Sequence, residues 1–375
     1  MTISTKIKNI FYIVVWLISF PVRLLRLLLP IRKYVDWRKE KSDIIERANW
    51  LCDRVIVAPK MLGKHYGCEW AIYSCSMLVA ALANIARIYP EEKKQNIERV
   101  DKLIGIILSP EIRWYDTAAW RGDGMKNMKG DKSHMTYLSI LAWAISNYKM
   151  MGGGAKYDDI FHASCEALHQ RMLKSSDLSL PSFPNGIVFL PDMLVAIVAL
   201  HNYSKIYGGT YDDIVQRWIT KAKNEWLHKN SGLLIALYGK GRRRNIRGCY
   251  SALSCYYLSL IDAEFAKEQY MTMKSTLLVF RPFCAVREYL KRSPRFYFNP
   301  DAGPILFGLS PSGTAFAIGC ATYFEDWELR RRLLTTAEIA GCTIRGCKRR
   351  HYILGEFALV GEAAVLAMRT NIKTD

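Results

Sequence analysis

The chain repeats itself. The segment from Asn147 and Tyr148, through a run of glycines, to Tyr157, Asp158, Asp159 and Ile160 returns as Asn202 and Tyr203, through Gly208 and Gly209, to Tyr211, Asp212, Asp213 and Ile214. The spacing is about 55 residues, the size of a two-helix unit that cannot bury its apolar face alone and must stack on a neighbour. In each copy an apolar stretch runs into the motif, glycine supplies a left-handed stop, and the paired aspartates suit the positive end of the next helix. A chain built this way is an array of helical hairpins, and those aspartates read first as caps.

Turns of the same kind lie at Arg87 to Glu92, Ile261 to Phe265 and Tyr323 to Glu328, each closing an apolar stretch and opening a charged one. Strand-like alternation is nearly absent between them, so the fold class is all-α. An inner apolar helix paired with an outer amphipathic one, repeated about six times over residues 34–370, predicts an (α/α)6 toroid of helical hairpins; an open superhelix is the competing arrangement. Half of the 375 residues are apolar and 23% are charged. That composition supports one large core, with disorder confined to the ends.

Residues 1–33 read as a separate element, an N-terminal membrane anchor or interfacial helix. Ile10 to Val22 is apolar except for Ser19 and Pro21, and the leucines that follow, up to Leu29, are broken only by Arg23 and Arg26. About 20 apolar residues cross a bilayer, so the run spans one if the arginines snorkel toward the headgroups. It lies flat if they mark a polar face, and a helix packed on the domain is the third arrangement. No small-residue cleavage site follows it. Arg23, Arg26, Arg32, Lys33, Arg38 and Lys39 behind the run outnumber Lys6 and Lys8 before it. By the positive-inside tendency the main domain is then cytoplasmic. The ten cysteines form no CxxC pair. Apolar settings such as those of Cys75 and Cys320 predict buried free thiols and a reducing compartment.

The formal charge is +19, concentrated in Lys240, Arg242 to Arg244, Arg247, Lys291, Arg292, Arg295, Arg330 to Arg332, Arg345 and Lys348 to Arg350. Such clusters attract anionic lipid, an anionic polymer or an acidic substrate, or they form a solvated face. No helix-turn-helix, zinc-finger or RNA-recognition signature accompanies them, so nucleic acid is not expected as a partner. Phosphate-loop, dinucleotide, HExxH and GxSxG elements are also missing from the sequence, which therefore calls for no cofactor, no metal and no nucleophilic serine. The oligomeric state is left open.

If every apolar helix is an inner one, the N-terminal ends of these helices collect at one mouth. Glu69, Trp70, Tyr73, His134, Tyr137, Asp192, Arg247, Tyr250, Asp301, Ser310, Ser312, Thr314, His351 and Glu356 fall there, at about 60-residue intervals. Acid/base catalysis requires a proton donor and acceptor held across one substrate. Glu69, His134, Asp192 and Asp301 are the candidates for that work. Sugar hydrolysis with inversion, for example, uses two carboxyl groups roughly 6.5–9.5 Å apart. Trp70, Tyr73, Tyr137, Arg247, Tyr250, Ser310 and Thr314 are the candidate substrate contacts. Tyr66, Trp70 and Tyr73 surround Glu69 with aromatic area that raises a carboxyl pKa and stacks on a sugar or encloses a lipid-like molecule. The competing reading is ordinary: Asp, Ser and Thr at helix starts are caps. The small-residue stretch from Asp301 to Thr314 is likewise either an anion-binding helix start or a tight packing turn.

Leu190 to Met193 and Leu200 to Tyr211, with Ser133 to Tyr137, resemble the linalool dehydratase/isomerase-like family over the central third of the chain. The resemblance implies an (α/α)6 barrel and a site lined by Tyr, Asp, His and Cys, with His134 as the matching histidine. Phe189, Leu190 and Val198 stand where that family carries its cysteines. The expected function is an acid/base enzyme, a lyase, isomerase or hydrolase, acting on a small-molecule or glycan substrate of carbohydrate or isoprenoid-like chemistry. The alternative is a non-catalytic module that binds an anionic polymer, lipid surface or protein through the basic C-terminal half.

Overall fold

Two kinds of helix alternate along the chain, and burial separates them. The computed structural model describes residues 3–29, 32–57, 59, 69–239, 241, 245–291 and 296–373. Tyr66, Cys68, Lys240, Arg242 to Arg244, Arg292 and Arg295, and the side chains of Lys6, Arg32 and Lys33, lie outside the described residues. Helix α1 (Ile3–Leu24) precedes the alternation. The outer helices are α2 (Lys41–Cys52), α4 (Lys93–Ile107), α7 (Asp158–Lys174), α9 (Asp212–Glu225), α11 (Ala263–Thr276) and α13 (Trp327–Gly341). The inner ones are α3 (Glu69–Ile88), α6 (Met135–Met150), α8 (Leu190–Tyr207), α10 (Gly248–Ser259), α12 (Pro311–Tyr323) and α14 (Leu359–Arg369). In α6 every residue from Met135 to Tyr148 is buried, the pattern of a helix covered on all sides. In α9 only the stripe Ile214, Val215, Trp218, Ile219 and Ala222 is buried, which marks a helix with one wet face.

The inner helices close a circle. Each packs on the next, α3 on α6, α6 on α8, α8 on α10, α10 on α12 and α12 on α14, and α14 returns to α3. The fold is therefore the (α/α)6 toroid and not an open superhelix. Five outer helices pack on the inner helix that precedes them, whereas α14 takes its outer partner, α2, from the opposite end of the chain. The turns fall where the sequence places them. Gly208 stops α8 at φ +88°, Asp262 accepts the Phe265 N–H at 3.0 Å, and Asp326 accepts the Leu329 N–H at 3.2 Å. Asp158, Asp159, Asp212 and Asp213 occupy first turns, as capping chemistry requires.

The near absence of strands needs correction. A five-stranded antiparallel sheet, ordered β3-β4-β7-β6-β5, is inserted between α11 and α12. Its strands are β3 (Leu278–Val279), β4 (Ala285–Arg287), β5 (Phe296–Asn299), β6 (Gly303–Leu306) and β7 (Leu309–Ser310). They run two to four residues, too short for alternation to register in a sequence window. Two shorter pairs accompany it, β1 (Val188–Phe189) with β2 (Leu237–Tyr238) and β8 (Thr343–Gly346) with β9 (Arg349–Tyr352). Of the nine cysteines described, all are free thiols and only Cys347 is exposed.

Much of the late positive charge is used internally. Arg331 and Arg332 pair with Glu328, Arg349 with Asp53, and Arg350 with Asp43 and Glu46. The most buried pairs sit at the seam. Glu40, just before α2, accepts from Arg330 of α13 and Arg369 of α14, both at 2.6 Å, and all three side chains are fully enclosed. Arg369 also reaches Asp43 at 2.5 Å, and Arg47 reaches Glu362 of α14 at 2.7 Å. Removing one partner leaves opposite charges desolvated and unpaired, which typically costs about 3–5 kcal/mol. Arg369→Met is expected to lose stability on that scale in urea unfolding, whereas Arg331→Met, which breaks a pair reaching solvent, should lose less than about 1 kcal/mol.

Candidate functional site

Because an outer helix returns the chain before each inner helix begins, all six inner helices start at the same rim. Glu69 opens α3 and Asp192 stands in the first turn of α8. Asp301 arrives differently, on the turn between β5 and β6. Their electrostatics show them sharing one poorly solvated neighbourhood. Burial pushes Glu69 up to about 7, with the negative charges of Asp192 and Asp301 adding to the effect. Burial and the charge of Asp301 likewise push Asp192 up to about 6, opposed by the hydroxyls of Ser182, Tyr73 and Thr136.

Each carboxyl group has its own support. Tyr73, one turn after Glu69 on α3, donates its hydroxyl to Asp192 Oδ1 at 3.1 Å, and Thr136 of α6 donates to Oδ2 at 3.4 Å. Asp301 is held by Arg247, the residue before α10, whose Nη1 lies 2.8 Å from Oδ2. The same guanidinium donates to the buried Glu288 at 2.7 Å and to Asn299 at 2.6 Å, and it lies 4.7 Å from the Tyr250 ring centroid. Asn299 in turn accepts the backbone N–H groups of Asp301 and Ala302. No described residue hydrogen-bonds to Glu69, which leaves its proton available to a ligand.

Aromatic groups wall the cluster. Trp70 and Tyr73 lie 6.0 Å apart, and Tyr250 meets Phe189 edge-on at 5.8 Å. Burial, followed by the charges of Asp192 and Glu69, keeps the Tyr73 hydroxyl protonated far above its ordinary range. Tyr115, from α5 (Pro110–Trp120), is raised in the same way by burial and by Asp116 and Glu69, and its hydroxyl has no hydrogen-bond partner among the described residues. These phenols keep their protons and can donate them in hydrogen bonds.

The remaining candidates stand apart from the cluster. His134 is fully enclosed, with its Nδ1 2.7 Å from Asp116 and its ring against Trp120, so it lies behind the rim. Tyr137 is also enclosed and donates to the Ile107 carbonyl at 3.3 Å. Ser310 caps α12 by accepting the Gly313 N–H, and Thr314 bridges the Ser310 carbonyl and the Val286 N–H, so both hydroxyls serve the helix start and the sheet. Ser312 donates to the Asp301 carbonyl at 2.9 Å. His351 stacks on Trp50 and Glu356 pairs with Arg54, on the outer side of the α14 entrance. Residues absent from the sequence reading are Tyr115, Thr136, Ser182 and Glu288. Only Thr136 carried a signal, its place two residues beyond His134.

No protein-family model matches the chain, and no curated protein matches it. Among solved structures, a glycoside hydrolase of family 105 from C. acetobutylicum ATCC 824 is 13% identical with a TM-score of 0.53, over 87% of this chain and 99% of that one. The α-1,6-mannanase GH76A of Salegentibacter sp. HEL1_6 is 10% identical with a TM-score of 0.54, over 90% and 99%. An inactive variant of that mannanase in complex with α-1,6-mannotriose aligns over the same shares at a TM-score of 0.52 and 10% identity. At such identities the likeness is one of fold, and it places the chain among α/α-barrel architectures.

The clustered carboxyls carry a stability signature. Folding raises the pKa of Glu69 from 4.5 to about 7 and that of Asp192 from 3.8 to about 6. The folded state therefore holds protons that the unfolded chain releases, and stability falls as pH rises through this window, levelling above about pH 7. The double variant Glu69→Gln/Asp192→Asn should melt higher than the parent at about pH 8, by roughly 2 °C or more, with the gap closing at about pH 4. Calorimetry across that range checks it.

Proposed function

We propose that the toroid is a glycan-active enzyme, a glycoside hydrolase, with Glu69 as general acid and Asp192 as general base. The observation that carries this reading is the pair of carboxyl groups raised to about 7 and about 6 at one aromatic rim. A carboxyl group with a pKa near 7 is still protonated at neutral pH and can donate to a leaving oxygen. Glu69 would give its proton to the glycosidic oxygen as the carbon–oxygen bond breaks, while Asp192 takes a proton from the water that adds to the anomeric carbon. Asp301, fixed by Arg247, would stabilise the positive charge that develops on the sugar. Trp70 and Tyr250 offer faces for a sugar ring. The fold shared with a family 105 glycoside hydrolase and an α-1,6-mannanase is consistent with this assignment.

A second reading rests on the buried phenols Tyr73 and Tyr115 beside Glu69, with Tyr250 and Tyr257 near Asp192. There Glu69 would protonate the hydroxyl of a terpenoid alcohol, the C–O bond would break with loss of water, and Asp192 would take a C–H proton to leave the alkene, the dehydration implied by the linalool dehydratase/isomerase-like resemblance.

Turnover of an oligosaccharide panel that includes α-1,6-linked mannosides tests the first reading, and formation of a hydrocarbon from a monoterpene alcohol tests the second. Glu69→Gln and Asp192→Asn should each lower kcat by about 10²–10⁴ with the fold intact. Loss of the Glu69 proton should give kcat/KM an alkaline limb near pH 7, and that limb should vanish in the residual activity of Glu69→Gln. Parent-like rates in both variants on every substrate would remove the acid/base assignment.

A further inference from the structure

Helix α1 is tied to the toroid along one side and bare along the other. Five of its described polar and amphipathic side chains reach the toroid. Lys8 and Tyr12 reach Glu356, each at 3.4 Å, and the Trp16 indole donates to the Ala340 carbonyl at 2.6 Å. Ser19 meets the Cys342 thiol at 3.5 Å, and the Arg23 guanidinium donates to the carbonyls of Ile339 and Trp16. These contacts follow one another from the N-terminal part of the helix to its last turn, so α1 lies along the domain throughout and is no free tether.

The outward side is a continuous apolar stripe. Ile7, Ile10, Phe11, Val14, Leu17, Ile18 and Val22 recur at three- and four-residue spacing with exposures of 44% to 74%, and Leu25, Leu28 and Leu29 extend the row. The apolar window from Ile7 to Leu27 is only 6% buried, whereas the comparably apolar α3 is 72% buried because it is an inner wall helix. An exposed apolar surface of this length is not left to water in a stable protein.

Charge selects what covers it. Residues 1–35 contain six basic side chains and no Asp or Glu. Arg26 is exposed at the end of the stripe, and Arg345 and Lys348 are exposed at the tip of the β8–β9 hairpin, whose base at Cys342 touches Ser19. An apolar stripe bordered by cations and free of carboxylates complements an anionic lipid surface: the stripe enters the acyl boundary while the cations meet headgroup phosphates. It does not complement a second copy of the same strongly basic edge, which would bring like charges together. A helix crossing the bilayer is equally unsuited, since Trp16, Ser19 and Arg23 at its middle and end are engaged by the toroid.

We propose that α1 is a monotopic membrane-docking element whose exposed stripe lies in the plane of an anionic bilayer surface, with both of its ends on the same side. The location follows from the contacts. Ile339, Ala340 and Cys342 mark the end of α13, and Glu356 directly precedes α14, so the helix is seated by the rim where the inner helices begin. This inference stands whether or not the ring hydrolyses glycans.

The test is cosedimentation of the full chain with phosphatidylcholine vesicles, with and without phosphatidylglycerol. The parent should bind the phosphatidylglycerol vesicles and release as salt rises. The triple variant Ile10→Asp/Leu17→Asp/Ile18→Asp, which changes only exposed positions and should keep the parent melting temperature, is expected to lose binding by about tenfold or more. Equal binding by parent and variant, or no binding by the parent, would overturn the proposal. A dimer in sedimentation equilibrium that the triple variant dissolves, without vesicle binding, would assign the stripe to a second copy instead. In a Cys68→Ser/Cys347→Ser background, Ile7→Cys and Leu28→Cys should react with a membrane-impermeant maleimide from the same side of the bilayer; reaction from opposite sides would show a spanning helix and reject the flat one.

Discussion

The ring is held shut by one buried charge cluster. Glu40 and Asp43, at the start of α2, meet Arg330 of α13 and Arg369 of α14, joining residues about 290 to 330 positions apart in a site that excludes water. Two enclosed arginines and two enclosed carboxylates gain little net energy over apolar packing, because desolvation offsets their attraction. What they add is geometry. An arginine fork satisfied by two carboxylates fits one register only, so the last inner helix can take α2 as its outer partner in only one way. The consequence reaches the mouth: α3 is the helix on which α14 closes, and Glu69 is its first residue. Without closure, Glu69 would no longer lie within the field of Asp192 and Asp301.

The sequence disclosed the architecture because the information was local. Each hairpin turn combines a left-handed glycine or a short polar break with aspartates or glutamates at or just before the next helix start, and these rules act within a few residues. The contrast between inner and outer helices was equally visible, since α6 is apolar all round and α9 carries a single stripe. Closure was expected from the count of about six hairpins, but the contacts that enforce it were not legible, because they join residues separated by most of the chain. The sheet between α11 and α12 was missed for a different reason. Its strands are shorter than one period of any pattern test, and they are defined by partners such as β4 and β7 that lie more than 20 residues apart.

The candidate site shows where residue-level reading stops. Glu69, Asp192 and Asp301 share one environment, whereas His134, drawn from an equivalent position, lies behind the rim. Successive residues at a helix start point about 100° apart, so two positions decide between the mouth and the wall. His134 precedes α6 with φ +45° and turns to Asp116, while Thr136 reaches Asp192. Periodicity could identify the helix start but not which of its residues faces inward. Ser310 and Thr314 illustrate the same limit, since a hydroxyl that caps a helix and one that binds a ligand are identical in sequence. Asp301 is informative for the opposite reason. It belongs to no inner helix, and it is brought to the mouth by a strand turn and by the fork of Arg247.

Carboxyl groups with raised pKa values are a stored instability, and the toroid can hold them because their cost is spread over a rigid frame. Glu69 and Asp192 stand on the inner helices α3 and α8, with α6 between them, in a wall that packs around its full circumference, and Asp301 is held by Arg247, which Glu288 and Asn299 fix in turn. Relief of their mutual repulsion would require a helix to move, and the seam between α2 and α14 resists that. The positive charge of the chain follows a similar division of labour. Arg47, Arg247, Arg330 and Arg369 are consumed in holding elements together by pairing with carboxylates, so the net excess of +19 resides in other basic side chains, the exposed Arg26, Arg345 and Lys348 beside α1 among them. These residues and the carboxyl cluster occupy the same end of the ring. A surface that engages α1 would therefore lie beside the mouth, and the substrates nearest to Glu69 would be those borne on that surface.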